Sequence, residues 1–331
     1  MLRVTVRSTA ESLGRSRLRR YKLGMVQAAT QTIGQPSGQA PLPLSHFLLG
    51  VAIAAVWGTN FVVMKLGLAY LPPLLFAGLR FLFVFFPAAL FIRKPAVPWR
   101  DLVAYGLFIG VGQFGLLFLA LNGHITPGLA SLVAQSQVFF TIALSMIIRR
   151  ERMLRFQYVA LALAVAGLAV IAVKGGGSAS RLGLTMVLCG GFCWGCGNTV
   201  ARRSPGADML AYIVWSALFS APPLLLMALL FEGWPAIRDG VLHADLATWA
   251  AVAWQSLGNS LFGFAAWAWL LNRHPAGVVA PMSLLVPIFG IGASAIVLGE
   301  GLEPWKLAAA ALVLGGLAFN LLWPKFQAQP A

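Results

Sequence analysis

Charged residues are scarce in this sequence. Only 10% of its 331 residues are Asp, Glu, Lys or Arg, whereas 59% are hydrophobic. An ordinary soluble domain has roughly 25% charged residues, so this chain lacks the polar side chains that a water-exposed surface needs. The composition therefore excludes a water-soluble globular protein and predicts a membrane protein.

Acidic residues are the rarest charged type. There are 9 of them, and each lies at or beyond the end of a hydrophobic run. A proton-driven carrier usually has a carboxylate inside a span, so proton coupling is not expected. The sequence also lacks a Ser-His or paired-carboxylate arrangement for hydrolysis and a Gly-rich phosphate loop for ATP. We therefore expect neither an enzyme nor an ATP-driven pump.

Cysteine and histidine are also few. The three cysteines, Cys189, Cys193 and Cys196, have a spacing that places them on one face of a single helix, among glycines. We interpret them as small packing residues. The 4 histidines lie near the ends of hydrophobic runs. Structural disulfides, a metal site and any other cofactor are not expected.

Long hydrophobic runs make up most of the chain. A helix of about 20 residues crosses a hydrocarbon core of about 30 Å, and the runs have about this length. They do not show the polar-apolar alternation of membrane β-strands. We predict an all-α membrane protein with ten transmembrane helices. The predicted spans are residues 47–69, 74–92, 101–121, 126–148, 156–173, 181–199, 209–230, 246–271, 276–297 and 304–323.

One stretch of the sequence occurs twice. Shifted by 149 positions, Gly128 to Ala169 aligns without a gap on Gly277 to Ala318, with 12 identities in 42 positions that include Glu151/Glu300. Duplicated spans are typical of membrane carriers. Five spans per copy is an odd number, so the two repeats are predicted to be inverted. The predicted first repeat is 46–174, the second is 181–323, and 324–331 is a short cytoplasmic tail.

The distribution of Lys and Arg predicts the orientation. With the N-terminus inside, 11 basic residues at span ends and 7 on the N-terminal segment are cytoplasmic, as the positive-inside rule requires. The net charge of +15 thus indicates membrane topology and not binding of nucleic acid. Both termini are predicted to be cytoplasmic. Residues 1–45 are predicted to be a basic, disordered cytoplasmic tail, and translation from Met25 is the alternative.

Two basic residues lie inside predicted spans, away from the span ends. Lys65 is in the first span and Arg80 in the second. Charges at such depth usually face a cavity, so together they are predicted to attract an anionic or zwitterionic solute. The alternative is that each side chain reaches the headgroups or pairs with a carbonyl at a helix C-terminus.

Uncharged polar and aromatic residues inside the spans complete the predicted substrate site. Unpaired amides are costly in hydrocarbon, so they face other helices or a wet cavity, and hydrogen bonds between helices are the alternative use. Pro287 removes the donor for the Ser283 carbonyl, which becomes free to bind solute or water, and packing around a kink is the alternative. The other predicted site residues are Trp57, Asn60, Gln113, Gln135, Gln137, Trp194, Asn198 and Trp215.

These motifs resemble the EamA type of the drug/metabolite transporter superfamily, from about Leu49 to Leu322. The resemblance is closest to exporters of O-acetylserine and cysteine in bacterial inner membranes. The matching residues are Trp57-Gly58, Asn60 to Val63, Lys65, Pro72-Pro73, Ala77 to Phe81, Gly112 to Phe114, Gly128 to Val133, Gln135, Gln137, Phe139 to Ile142, Trp194, Cys196 to Asn198, Trp215-Ser216 and Ala280 to Pro287.

The resemblance implies a secondary exporter of cysteine, O-acetylserine or related small amino-acid metabolites, working by alternating access in a bacterial inner membrane. Its expected partners are a small-molecule solute and the lipid bilayer, and formation of a homodimer is left open. An importer or multidrug carrier of the same fold is one alternative. A membrane receptor or assembly protein that transports nothing and uses the basic tail is another.

Overall fold

The computed structural model describes residues 42–149, 154–274 and 276–327, and these ranges are almost entirely helical. Most of the predicted tail and Glu151 lie outside the described residues. Ten long helices follow one another along the chain. They are α1 (Leu44–Gly67), α2 (Pro73–Leu90), α3 (Trp99–Leu121), α4 (Pro127–Ile148), α5 (Arg155–Lys174), α6 (Arg181–Ala201), α7 (Met209–Glu232), α8 (Leu246–Ala253, Trp254–Phe262 and Gly263–Arg273), α9 (Ala276–Val279, Ala280–Leu284 and Leu285–Leu298) and α10 (Pro304–Gln327).

Within the described ranges, nine helices are long and apolar enough to cross a membrane. The tenth, α8, is not among the nine because polar residues interrupt its middle. The predicted spans agree with the helices to within a few residues. The largest difference is at α10, which continues to Gln327 instead of ending at 323. The prediction of an all-α membrane protein is confirmed.

Local sequence signals explain where several helices begin. Pro73, Pro127 and Pro304 are the first residues of α2, α4 and α10, where a missing backbone NH costs nothing. Polar side chains cap the first turns of α6, α7 and α8. At α8, the hydroxyl and backbone NH of Thr248 donate hydrogen bonds that lower the pKa of the Asp245 carboxyl. These caps place the helix starts at defined residues.

The structure repeats itself in its irregularities as well as in its helices. The third helix of each half contains a π-helical stretch, Gly106–Gly115 in α3 and Trp254–Phe262 in α8. The fourth helix of each half contains a 3₁₀ stretch, Ala134–Ser136 in α4 and Ala280–Leu284 in α9. Because five helices cross in each half, the second half enters the membrane from the opposite side, as in an inverted repeat.

Helix packing follows the same two-fold pattern. Helix α1 packs against α9, and the corresponding helix α6 packs against α4. Helices α5 and α10 pack on each other, as do α2 and α7. Large side chains such as Phe91, Val173 and Ile296 lie exposed on the outside of the bundle, where lipid contacts them. Polar side chains turn inward instead, so any solute site lies between the helices.

The end of α7 caps the start of α2. The Glu232 carboxylate accepts hydrogen bonds from the backbone NH groups of Leu74 (2.6 Å) and Leu75 (3.1 Å). These NH groups have no partner inside the helix, and a carboxylate also complements the helix dipole. We expect Glu232→Ala to destabilise the protein by about 1–2 kcal/mol. Thermal unfolding in detergent measures this loss.

The matched control for Glu232→Ala is Asp239→Ala. Asp239 is exposed on the following short helix, Trp234–His243, and its ion pair with His243 is also exposed. Such pairs contribute little to stability. Equal unfolding temperatures for the two variants would show that the Glu232 cap does not hold α2 in place.

Candidate functional site

Arg80 is the largest fully buried side chain among the residues that the structure describes. It lies on α2 and is 1% exposed. Its Nε and Nη2 atoms donate hydrogen bonds to the Ser260 hydroxyl on α8, at 3.3 and 3.0 Å. The guanidinium carbon stands 3.6 Å from the ring centre of Phe114 on α3, a cation–π contact. Three helices thus hold the guanidinium group in place.

The charge of Arg80 has no acidic partner among the residues that the structure describes. Its Nη1 atom is buried and has no hydrogen-bond partner there either. The other two buried charges do have counter-ions, Asp101 with Arg203 at 3.6 Å and Lys306 with Glu303 at 2.7 Å. A buried cation without a counter-ion is costly, so Arg80 is the strongest candidate for binding an anionic group.

A small cavity adjoins the guanidinium group of Arg80. Its volume is about 10 Å³, which is about the space that one water molecule occupies. Ser216, Ser220 and Ser260 contribute hydroxyl groups to its wall, and Phe114 and Phe264 contribute aromatic rings. The cavity is too small for an amino acid, so the bundle is closed around Arg80 in this conformation.

Helix α8 supplies a polar face that the sequence prediction did not include in the site. Gln255, Ser256, Asn259 and Ser260 are buried in its π-helical stretch. The Gln255 side chain accepts a hydrogen bond from Asn60 on α1 at 3.3 Å. The Trp57 indole donates to the backbone carbonyl of Asn259 at 3.2 Å. The spacing of these four polar residues, two adjacent pairs four residues apart, is the sequence signal that reveals this face.

A second polar cluster joins α4 and α6. Asn198 donates hydrogen bonds to the Gln137 side-chain oxygen and to the Thr141 hydroxyl, both at 3.1 Å. Trp194 lies one turn earlier on α6, half-buried against the core. The pair Trp194-Gly195 on α6 corresponds to Trp57-Gly58 on α1. Trp57 and Trp194 therefore occupy related positions on the first helices of the two repeats, although Asn60 bonds to α8 and Asn198 bonds to α4.

Four predicted residues make local or structural contacts instead. Lys65 donates to the Leu121 carbonyl at 3.1 Å, the alternative that the sequence left open. Trp215 donates to the Ile92 carbonyl at 2.9 Å, and Ser283 donates to Ala280 in its own turn. Pro287 lies in the first turn of the segment Leu285–Leu298, directly after the 3₁₀ stretch. These contacts do not join the Arg80 cluster.

Gln113 and Gln135 lie between helices. Gln113 is buried in the π-helical stretch of α3, where its backbone approaches Gly190 of α6. Gln135 is half-buried in the 3₁₀ stretch of α4. In the described ranges neither side chain forms a hydrogen bond within the protein. Both amides thus retain donors and acceptors that a solute can use.

Glu300, one of the two glutamates matched by the sequence repeat, caps the start of α4. The Glu300 carboxylate accepts from the Ser294 hydroxyl and from the Gly128 backbone NH. Ser294 and Gly128 are also joined to each other, at 3.2 Å. The contact connects α4 to the end of α9 and so fixes the two halves together at that side of the membrane. The predicted counterpart, Glu151, lies outside the described residues.

Among the residues that the structure describes, no group of three or more His, Cys, Asp or Glu could hold a metal ion. Cys189, Cys193 and Cys196 are free thiols along α6. The Cys193 side chain instead fills the space above Gly112 of α3, as expected of a packing residue.

Comparison with known proteins places this geometry in a family. A protein from Salmonella typhimurium named "Probable amino-acid metabolite efflux pump" is 41% identical over 279 residues, which cover 82% of this chain and 93% of that protein. A protein of the same name from Escherichia coli is 36% identical over 287 residues, covering 84% of this chain and 96% of that protein.

The fold also matches a known crystal structure. It aligns with a TM-score of 0.59 and 20% sequence identity, over 86% of this chain and 99% of the other. The profile of the EamA-like transporter family matches residues 44–173 and 181–322, one match in each half. The matches cover nearly all the helices that surround Arg80. The chain therefore belongs to the EamA-like transporter family.

Proposed function

We propose that this protein exports small amino-acid metabolites, of the cysteine and O-acetylserine type, across a bacterial inner membrane by alternating access. The relatives from Salmonella typhimurium and Escherichia coli, which carry the name of amino-acid metabolite efflux pumps, support an exporter of such solutes. Their similarity extends over more than four fifths of this chain.

The observation that carries the proposal is the unpaired charge of Arg80. Every amino acid has a carboxylate, and a guanidinium group binds a carboxylate through two parallel hydrogen bonds. The Nη1 atom is free for such a bond. A bound carboxylate would supply the counter-ion that the described residues do not provide.

The closed cavity supports alternating access. An amino acid does not fit into about 10 Å³, so helices must move apart before a solute can reach Arg80. The π-helical and 3₁₀ stretches in α3, α4, α8 and α9 are places where helices bend with little loss of hydrogen bonding. The π-helical stretches of α3 and α8 line the cavity, and both kinds of stretch occur in both repeats, as a two-sided gate requires.

The predicted residues take different parts in this proposal. Arg80 binds the carboxylate, and Asn60 bonds from α1 to the same stretch of α8 that holds Arg80. Trp57 packs against Phe264 of the cavity wall, and the Gln137–Asn198 cluster with Trp194 lies between α4 and α6. Gln113 and Gln135 offer free amides along the path. Lys65, Trp215, Ser283 and Pro287 shape the surrounding helices through the contacts described above.

Counterflow in proteoliposomes tests the function. Vesicles with purified protein and unlabelled cysteine inside are expected to take up labelled cysteine and to be inhibited by external O-acetylserine. Because the described spans hold no buried carboxylate beside Arg80, an imposed pH gradient is expected to leave the rate unchanged. Uptake of cationic dyes but of no amino acid would contradict the proposal and would instead indicate a multidrug carrier.

A further inference from the structure

The buried amides of Asn60 and Gln255 form an incomplete pair. Asn60 is 4% exposed and Gln255 is 0% exposed. The Asn60 Nδ2 atom donates to the Gln255 Oε1 atom at 3.3 Å. The other two polar atoms, Asn60 Oδ1 and Gln255 Nε2, are buried without a partner among the described residues. A single bond between two amides always leaves one carbonyl oxygen and one NH₂ group unused, whichever way the amides are turned.

An unused donor and acceptor are unfavourable inside a helical bundle. Each unpaired polar group in an apolar environment loses the hydrogen bonds that water would provide. Most buried polar side-chain atoms in native proteins do have a partner, so an exception calls for an explanation. A solute that donates one hydrogen bond and accepts another would satisfy both atoms of this pair.

The amide pair and Arg80 are held by the same turn of α8. The Ser260 hydroxyl accepts from Arg80 Nη2 at 3.0 Å and donates to the backbone carbonyl of Gln255 at 2.9 Å. The Ser256 hydroxyl, one residue after Gln255, donates to the backbone carbonyl of Arg80 at 3.0 Å. The turn from Gln255 to Ser260 thus carries both serines that contact Arg80 and one amide of the pair.

We propose that the Asn60–Gln255 pair binds the α-ammonium group of the solute while Arg80 binds its carboxylate. This inference rests on the proposed function and names the substrate class of the same site. The free amide oxygen accepts a hydrogen bond from the ammonium group, and the free NH₂ group donates to the carboxylate. The carrier accordingly selects zwitterionic α-amino acids over acids without an ammonium group and over amines without a carboxylate.

The charges around the site agree with a zwitterion. Arg80 repels an ammonium group. The ammonium group of a solute is therefore better stabilised by a neutral acceptor that lies apart from the guanidinium group. A dicarboxylate would need a second buried cation without a counter-ion. In the described part of the chain the other buried cation, Lys306, is paired with Glu303 and donates to the Gly301 carbonyl.

Three small thiols test recognition of the ammonium group and recognition of the carboxylate separately. Cysteine has both groups, 3-mercaptopropionate lacks the ammonium group, and cysteamine lacks the carboxylate. The measurement is the inhibition constant of each against counterflow of labelled cysteine, under a reducing agent. In the wild-type protein, cysteine is expected to compete at least about tenfold better than either analogue, the usual effect of one charged hydrogen bond.

Asn60→Leu is the decisive variant because it keeps a similar volume and removes the free acceptor oxygen Oδ1. We expect the advantage of cysteine over 3-mercaptopropionate to disappear, while its advantage over cysteamine remains. Asn60→Asp keeps an acceptor for the ammonium group and is expected to keep both advantages. Asn272→Leu, at an exposed position on α8, is the matched control and should behave as wild type.

Two results would overturn the inference. One is an Asn60→Leu protein that binds all three thiols more weakly by the same factor, as expected if the amide is purely structural. The other is an Asn60→Asp protein that no longer distinguishes cysteine from 3-mercaptopropionate. If no thiol competes in the wild-type protein, the exporter proposal itself fails. A wild-type protein that transports cysteine but does not distinguish it from 3-mercaptopropionate would contradict only the inference about the ammonium group.

Discussion

Replacement of Arg80 by methionine is expected to reduce cysteine counterflow by about 100-fold or more, and at the same time to leave the protein as stable as wild type or more stable. The transport loss follows because a carboxylate bound in the interior would lose its only charged partner. The free energy of unfolding is expected to stay the same or to rise because methionine fills a similar volume and carries no charge. The charge of Arg80 has no counter-ion among the described residues.

Arg80→Lys separates charge from geometry. Lysine keeps the positive charge but has no planar fork, so we expect an intermediate loss of about tenfold. Counterflow and thermal unfolding in detergent are measured on the same preparations, with Arg238→Met as the control for an exposed arginine. A drop in unfolding temperature that parallels the drop in transport would mean that Arg80 acts only as a structural residue through Ser260 and Phe114.

Most of the fold was predictable from sequence because one property decides it. A span needs about 20 apolar residues to cross the hydrocarbon core, so each span is visible in the sequence as a stretch of high hydropathy. Helix α8 shows the limit of that signal. Its polar residues Gln255, Ser256, Asn259 and Ser260 lower its hydropathy, yet α8 carries most of the partners of Arg80.

The candidate site was less predictable because its bonds join distant parts of the chain. Arg80 and Asn60 are anomalies that a sequence reveals directly, a charge and an amide inside apolar runs. Their partners Ser260 and Gln255 lie 180 and 195 residues away, and no local pattern specifies that pairing. The same limit explains Lys65, whose role depends on the Leu121 carbonyl at the end of another helix.

The close contact between α1 and α9 depends on a residue without a side chain. A Cβ atom at Gly58 would lie 2.4 Å from the Val286 carbonyl oxygen, 2.6 Å from the Phe289 Cβ atom and 2.9 Å from the Gly290 nitrogen. Two of these are backbone atoms, which cannot move unless the whole helix moves. Glycines at helix contacts in membranes allow this kind of close approach.

Gly58→Ala is therefore expected to destabilise the protein by about 2 kcal/mol or more, since an overpacked contact forces the backbones apart. Gly195, the related residue on α6, has milder contacts, with Phe140 Cβ and Thr141 N both at 3.1 Å, so Gly195→Ala should cost less. Gly292 on α9 has no atom within 4 Å of the added methyl, and Gly292→Ala serves as the control. Thermal unfolding in detergent should rank the variants in that order. Equal stability of Gly58→Ala and Gly292→Ala would mean that α1 and α9 are not packed this closely in the membrane, and Asn60, one half-turn from Gly58, would then not be held against Gln255.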